Sequence, residues 1–460
     1  MSGSNGSKYI QGLNPPQCAA VLHTEGPLLV LAGAGSGKTR VITQRIAHLL
    51  GSGLATPEEI LAVTFTNKAA AEMRERVGTL VGSQVARRVT LSTFHSFCLG
   101  VLRKHIEHLG YRRNFTIAGE GDARALVARV VEDLGDRESY SPATFQAEIS
   151  LCKNSLRVPG PSRPYPTSHS IAVISSDSEK SPAPTTGSHN PPHPTPLPEG
   201  EGARHPHPTP LPEGEGAIRP RPVDGEQAQK YADRLGEVYT RYESALRAAN
   251  SLDFDDLLLR TLELWEQHPR LLARYQQQYR YVMVDEYQDT NGVQLELVRR
   301  LVAAHRNLCV VGDDDQSIYA WRGADARNIL QFERHFPGAT VITLDQNYRS
   351  TETILHAANC VIAKNSARRE KKLWSELGKG RPIDWHVTAD EEDEAKRAVA
   401  WLQHIRAKTR ARYRDFAVLY RSNLQSRPFE VAFRQAGIPY VVLGGQDFFE
   451  RAEVKDIISY

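Results

Sequence analysis

Two short stretches of the chain carry side chains whose types and spacing suit phosphate chemistry. The first is Ala32-Gly33-Ala34-Gly35-Ser36-Gly37-Lys38-Thr39, a phosphate-loop pattern with Ala in place of its first Gly. That position needs only a small residue. The glycines let the backbone turn its N–H groups onto an anion, and a helix that starts at the loop points its positive end at the same charge. In such a loop Ala34, Gly35, Ser36, Gly37 and Arg40 line the phosphates and Lys38 reaches the β- and γ-oxygens. The Thr39 hydroxyl is then a ligand for Mg²⁺. The second stretch is Asp285-Glu286-Tyr287-Gln288-Asp289, directly after the apolar run Tyr281–Val284. A carboxylate at a strand end beside a phosphate loop is where the metal is held, which makes Asp285 the other candidate Mg²⁺ partner. Glu286 is the candidate base for the attacking water. Alone, a glycine-rich turn is a chance match and an acidic run a solvated turn. Together, each at a strand end, they point to hydrolysis of a nucleoside triphosphate.

Such chemistry needs elements that bring both stretches to one place. Leu28–Ala32 is a short apolar run that enters the loop, and Thr39–Leu50 continues from it with a helical pattern. The same rhythm recurs at residues 60–63, 281–284 and 308–311. Continuous apolar strands alternating with helices belong to a parallel sheet covered on both faces, so the fold class is α/β. Residues 341–344, 416–420 and 440–443 suggest a second unit of the same type. Between about residues 108 and 250 the pattern changes, with residues 123–134 and 227–249 reading as helices. Residues 159–221 are dense in Pro, Ser, Gly and His, with little apolar material to offset the entropy of ordering them. They hold the direct repeat PHPTPLPEGEGA, starting at Pro192 and again at Pro206. Two copies are too few for a solenoid. The segment reads as a disordered insertion, with a Pro-rich partner-binding tail as the functional alternative.

Composition narrows the class without choosing the function. With 460 residues, 40% hydrophobic and 24% charged, the chain has the balance of a folded protein with roughly two to four domains. It has no apolar run long enough to cross a membrane and no signal-like N-terminus, so a cytoplasmic location is expected. Cys18, Cys98, Cys152, Cys309 and Cys360 are scattered, odd in number and never paired as CxxC. Free thiols are therefore expected rather than disulfides or a zinc site. A net charge of +3 is compatible with nucleic acid but does not demand it.

The remaining blocks identify a family. LNPPQ at 13–17, the phosphate loop, TFTNKAA at 64–70, TFHSF at 93–97 and LDFDD at 252–256 come in order. DEYQDT at 285–290, VGDDDQSIYAWRGA at 311–324, QNYRS at 346–350, AVLYRSN at 417–423 and GGQDFFERAEVKD at 444–456 follow. In order and spacing the chain resembles the UvrD, Rep and PcrA group of superfamily-1 helicases, over all but the insertion. The resemblance implies a RecA-like parallel-sheet motor domain (1–107 and 251–342) with an inserted helical accessory subdomain (108–250). The beginning of a second RecA-like motor domain (343–460) follows, expected to stop before its last motifs. It implies ATP and Mg²⁺ as cofactors, with Gln17 reading the adenine edge and Tyr348 stacking on the base. Gln316 is implied as the γ-phosphate sensor and Arg349 as an arginine finger.

The same resemblance implies a track for single-stranded DNA. Phe65, Tyr319 and Trp321 would stack on bases, a grip of about 1–3 kcal/mol per base. Thr66, Thr93, His95, Arg322 and Asn423 would hold phosphates and sugars. Blander roles exist for several of these: Tyr348, Phe65 and Trp321 as core residues, Arg349 as a surface ion-pair partner, His95 as a structural histidine. The expected activity is an ATP-dependent 3′–5′ helicase in DNA repair or replication restart. Its expected partners are single-stranded DNA and single-strand/duplex junctions, with no membrane, and it is expected as a monomer or weak dimer. A translocase that strips proteins without unwinding, and a fragment that binds nucleotide and DNA without turnover, are the rivals. A nucleotide domain for transport or small-molecule phosphorylation leaves the Tyr319–Trp321 and Tyr348–Arg349 blocks without a purpose.

Overall fold

Leu28–Ala32 (β1), Ile60–Thr64 (β2), Thr90–Thr93 (β3), Tyr281–Val284 (β4), Leu308–Gly312 (β5) and Thr340–Leu344 (β6) form one parallel sheet in the order β6-β1-β5-β4-β2-β3. These elements belong to a computed structural model that describes residues 7–135, 141–158, 163–164 and 225–443. Apart from residues 163–164, the expected insertion and its repeat lie outside the described residues, as does the block at 444–456. Every residue of β1, β2, β4 and β5 is buried, which is why these strands read as unbroken apolar runs. Side chains alternate between two cores. Leu29, Leu31, Val63, Val282, Val284 and Val310 face one, and Leu28, Val30, Ala62, Met283, Cys309 and Val311 face the other.

Helices flank these strands, among them Pro15–Leu22 (α1), Lys38–Gly51 (α2), Asn67–Val81 (α3) and Phe94–His105 (α4). Parallel pairing turns the C-terminal ends of all six strands to one edge of the sheet. The loops after β1, β4, β5 and β6, which carry residues 33–37, 285–289, 313–316 and 345–350, therefore share that edge, where open α/β sheets hold their ligands.

The inserted helices Glu120–Asp133 (α5), Pro142–Asn154 (α6) and Gly225–Ala248 (α7) build a separate core around Val127, Val131, Phe145, Ile149, Val238 and Tyr242. They join the sheet domain through the short parallel pair Thr116–Ile117 and Ser251–Leu252. A buried ion cluster reinforces the joint: Lys153 Nζ lies 2.5 Å from Glu243, 2.7 Å from Asp253 and 2.9 Å from Asp256.

Residues from Arg381 onward form a second unit, in which helices Glu391–Thr409 and Ser426–Gln435 pack through Val399, Leu402, Phe429 and Ala432. The strands expected for a second sheet are not formed as read. Residues 341–344 pair with β1 over the register Leu29↔Val341 to Ala32↔Leu344, and residues 416–420 and 440–443 are not in strands. An apolar run becomes a strand only where a neighbour offers its backbone groups. Among the described residues the run 416–420 pairs with no strand, and its Leu419 is 93% exposed. Cys18, Cys98, Cys152, Cys309 and Cys360 are free thiols. No helix among the described residues is long and apolar enough to cross a membrane.

Candidate nucleotide and nucleic-acid site

Two glycines give the phosphate loop a backbone that side chains would strain. Gly35 and Gly37 have φ of 69° and 91°, a region that side chains strain. A Cβ at Gly35 would lie 2.6 Å from Asn347 Nδ2 and 2.7 Å from the Arg349 Cβ, and one at Gly37 would lie 2.8 Å from Gln17 Nε2. Helix α2 starts at Lys38, so its free N–H groups face the loop. Lys38 Nζ sits 2.9 Å from Glu286 Oε2. Glu286 itself has φ of 49°, a left-handed strain at the candidate base of the kind that surrounding contacts must hold in place.

Gln288, which the sequence reading did not single out, organises the acidic loop. Its buried Nε2 donates to Glu286 Oε2 (3.0 Å) and Asp289 Oδ2 (3.2 Å), while its Oε1 accepts the Asp313 N–H (3.0 Å). The loops after β4 and β5 are thereby one hydrogen-bonded unit. Burial, then the Glu286 charge, pushes the Asp285 carboxyl up to about 6, with Lys38 pulling the other way. Burial and Glu286 likewise push Asp289 up to about 6. Hard carboxylate oxygens buried at a cost in desolvation are groups that a divalent cation would stabilise.

The loop after β6 closes over the phosphate loop through Asn347, another residue missed in the sequence. Its Nδ2 donates to the Ala34 carbonyl at 2.6 Å, and its Oδ1 accepts the N–H groups of Arg349 (2.8 Å) and Ser350 (2.7 Å). The Tyr348 N–H donates to the Gly35 carbonyl at 2.9 Å. Tyr348 and Arg349 are thus set against the loop, and the Tyr348 side chain is exposed rather than a core residue. Its hydroxyl accepts from Asn14 Nδ2 and donates to Gln346 Oε1, both at 2.9 Å. Gln17 is buried, with Nε2 donating to the Ser36 carbonyl (2.8 Å) and Oε1 accepting the Asn14 N–H (3.1 Å). That second bond is half of a capping box that starts α1. Thr39 is half-buried and Arg40 exposed at the start of α2, and Gln316 Nε2 donates to Asp313 Oδ2 at 2.6 Å.

An aromatic series begins three residues past Gln316. Phe65 stacks on Tyr319 with ring centroids 5.2 Å apart, and Tyr319 lies 6.3 Å from Trp321. The Arg322 guanidinium sits 4.4 Å over the Trp321 ring. Trp321 is 67% exposed, so it does not fill the core. His95 stacks at 3.9 Å on Phe254, which is also exposed. Burial pushes His95 down to about 4, so it offers a neutral ring, not a charge.

The signal for Phe254 was an aromatic flanked by acids. Asp253 and Asp256 are bound to Lys153, and Asp255 to Ser150 and Asn154, which leaves Phe254 facing out. Thr66 and Thr93 cap helices α3 and α4, their Oγ1 atoms accepting the N–H groups of Ala69 (3.1 Å) and Ser96 (3.2 Å). Asn423 is exposed in the second unit.

Residues 13–337 match the model of the UvrD/REP helicase N-terminal domain, and residues 342–460 that of the UvrD-like helicase C-terminal domain. The chain is 42% identical over 450 residues to the ATP-dependent DNA helicase PcrA of Leuconostoc citreum, covering 98% of this chain and 52% of that protein. It is 40% identical over 449 residues to the PcrA of Staphylococcus aureus, covering 97% and 53% respectively. The ATP-dependent DNA helicase UvrD1 of Mycobacterium bovis is 41% identical over 466 residues, covering 99% and 53%. The chain therefore spans about half the length of the curated relatives it matches.

Proposed function

Since the chain belongs to the UvrD/REP helicase family, we propose that it hydrolyses ATP with Mg²⁺ to move 3′ to 5′ along single-stranded DNA and part the duplex ahead. One observation carries this reading. The loop after β5 holds Gln316 at one end and Tyr319, Trp321 and Arg322 at the other, with Phe65 from the loop after β2 stacked on Tyr319. Through Asp313 and Gln288 that loop is hydrogen-bonded to Glu286. A change at the phosphate end has a short covalent path to the side chains that grip bases.

Within this reading Lys38 and the N–H groups of residues 34–39 hold the phosphates, and Gln17 and Tyr348 hold the adenine. Arg40 lies beside them at the start of α2. Thr39 and Asp285 would hold Mg²⁺, which supplies charge neutralisation at the β- and γ-oxygens. Glu286 accepts the proton of the attacking water, Gln316 reports the γ-phosphate, and Arg349 stabilises charge on the transferring group. Phe65, Tyr319, Trp321 and Phe254 offer faces to bases. Thr66, Thr93, His95, Arg322 and Asn423 contact the backbone.

Residues 1–107 and 251–344, whose strands share one sheet, belong to one motor domain, 108–250 to its inserted subdomain, and the unit from Arg381 to a second motor domain. The partners are single-stranded DNA and junctions in the cytoplasm, during repair or replication restart, with the protein acting as a monomer or weak dimer.

The test is ATP turnover by the 460-residue chain with and without a single-stranded oligonucleotide, beside Glu286→Gln. Turnover stimulated by DNA and lost in the variant supports the proposal. Nucleotide binding without turnover supports a binding-only role. Displacement of a bound protein without unwinding of a 3′-tailed duplex supports a translocase.

A further inference from the structure

Residues 368–374 carry a charge cluster that the roles above leave unused. The Lys371 side chain is buried, and its ammonium contacts three successive carboxylates: Asp313 Oδ1 at 3.0 Å, Asp314 Oδ1 at 2.5 Å and Asp315 Oδ2 at 2.9 Å. Arg368 adds two parallel bonds to Asp315, both 2.8 Å, and the Arg369 N–H donates to Asp314 Oδ2 at 2.7 Å. The same segment also reaches the phosphate loop. The Leu373 side chain fills the space a Cβ on Gly33 would need. The Trp374 carbonyl accepts the Asn347 N–H at 2.7 Å, and the Trp374 N–H donates to the Asp345 carbonyl at 3.1 Å.

These contacts meet at Asp313. One of its oxygens takes Lys371 and the other takes Gln316 Nε2 at 2.6 Å. Three adjacent carboxylates repel one another unless a cation sits among them, so the conformation of residues 313–316 depends on the lysine. Its ammonium in turn is held by a segment braced on the phosphate loop and on the Asn347 turn.

We infer that Lys371 is a positioning residue: it links residues 33–35 and 347 to Gln316, and so lets nucleotide at the phosphate loop set the loop that carries Tyr319 and Trp321. This inference rests on the nucleotide-site reading above. Lys371 touches no phosphate itself and acts through Asp313.

Hydrogen exchange of the full chain, with and without ADP and Mg²⁺, tests it. In the native chain nucleotide slows exchange both at residues 33–40 and at residues 313–322. The variant is Lys371→Met combined with Asp314→Asn, which removes the cation together with one carboxylate and so limits the uncompensated buried charge. It keeps the slowing at 33–40 and loses that at 313–322. Slowing at 313–322 that survives in the variant overturns the inference, as does its absence from a native chain that is protected at 33–40. Loss of the 33–40 response in the variant alone also overturns it, since Lys371 would then serve the phosphate loop itself. No slowing at 33–40 in the native chain refutes the nucleotide site, and the inference with it.

Discussion

Replacing Lys153 with Met keeps the length of the side chain and removes the charge on which three carboxylates converge. The Lys153 side chain is 0% exposed, so water cannot take its place among Glu243, Asp253 and Asp256. Removing one partner of a buried ion pair costs about 3–5 kcal/mol. Two features put this case at the lower end. Arg260 remains as a cation beside Glu243 and lies 3.5 Å from Asp256. Burial has also pushed the Asp256 carboxyl up to about 7, so it can take a proton near neutrality for little further cost. A loss of about 3 kcal/mol corresponds to about two decades in the opening equilibrium of α6 against the sheet domain.

Native-state hydrogen exchange of residues 142–154 and 225–248 measures that opening directly. It suits a chain of several domains, for which a single melting curve is not two-state. The pH dependence gives a second check. Without the lysine the carboxylates gain by taking up protons, so the deficit shrinks toward about pH 5.5 and widens toward about pH 8. Exchange within about threefold of the native chain at neutral pH, or a deficit that ignores pH, would refute the reasoning.

Three further outcomes are expected. Trp321→Ala weakens binding to a single-stranded oligonucleotide by about 1–3 kcal/mol and leaves the salt dependence unchanged, whereas Arg322→Ala lowers the salt slope by about one phosphate contact. Anisotropy titrations at several salt concentrations separate the two, and the opposite pattern reverses the assignments. Asn347→Ala frees the Ala34 carbonyl and the Arg349 and Ser350 N–H groups. Calorimetry should show nucleotide binding weakened by about 1–3 kcal/mol, and an unchanged affinity would remove Asn347 from the site. The pKa of His95 is pushed from 6.5 down to about 4 by burial, so the unfolded chain takes up a proton that the folded one refuses. Its contribution is complete above pH 6.5 and is lost as pH falls toward 4. His95→Asn should therefore narrow its deficit in native-state exchange protection at residues 94–105 relative to the native chain as the buffer is made more acidic, and a constant deficit would count against a neutral ring.

Much of the nucleotide half of the site was legible along the chain because buried parallel strands leave unbroken apolar runs, and the phosphate loop and acidic block sit at the ends of two of them. β3 was not, because TLST at the sheet margin is only alternately buried and reads as polar. Residues 341–344 read correctly as a strand but were given to the wrong sheet, since an apolar run does not say which neighbour it will find. Asn347 and Lys371 escaped notice for a related reason. The first meets Ala34 across 313 positions and the second meets Asp314 across 57, and no local pattern announces such a meeting. Phe254 stands among aspartates in LDFDD at 252–256, where nothing local says which way its ring faces. Its outward position follows from three aspartates turned inward around it, which only the fold reveals.

The strand order has a consequence for how the chain is made. β1 ends at Ala32, yet both its neighbours, β5 and β6, begin at Leu308 and Thr340. At ~5–20 residues per second of synthesis, LLVLA waits tens of seconds on the ribosome before either partner has been made. Through that wait both edges of a strand that is wholly buried in the finished protein lack their partners. The delay includes the time taken to make residues 108–250, so a longer inserted segment lengthens the exposure of the first strand without touching the site it will carry.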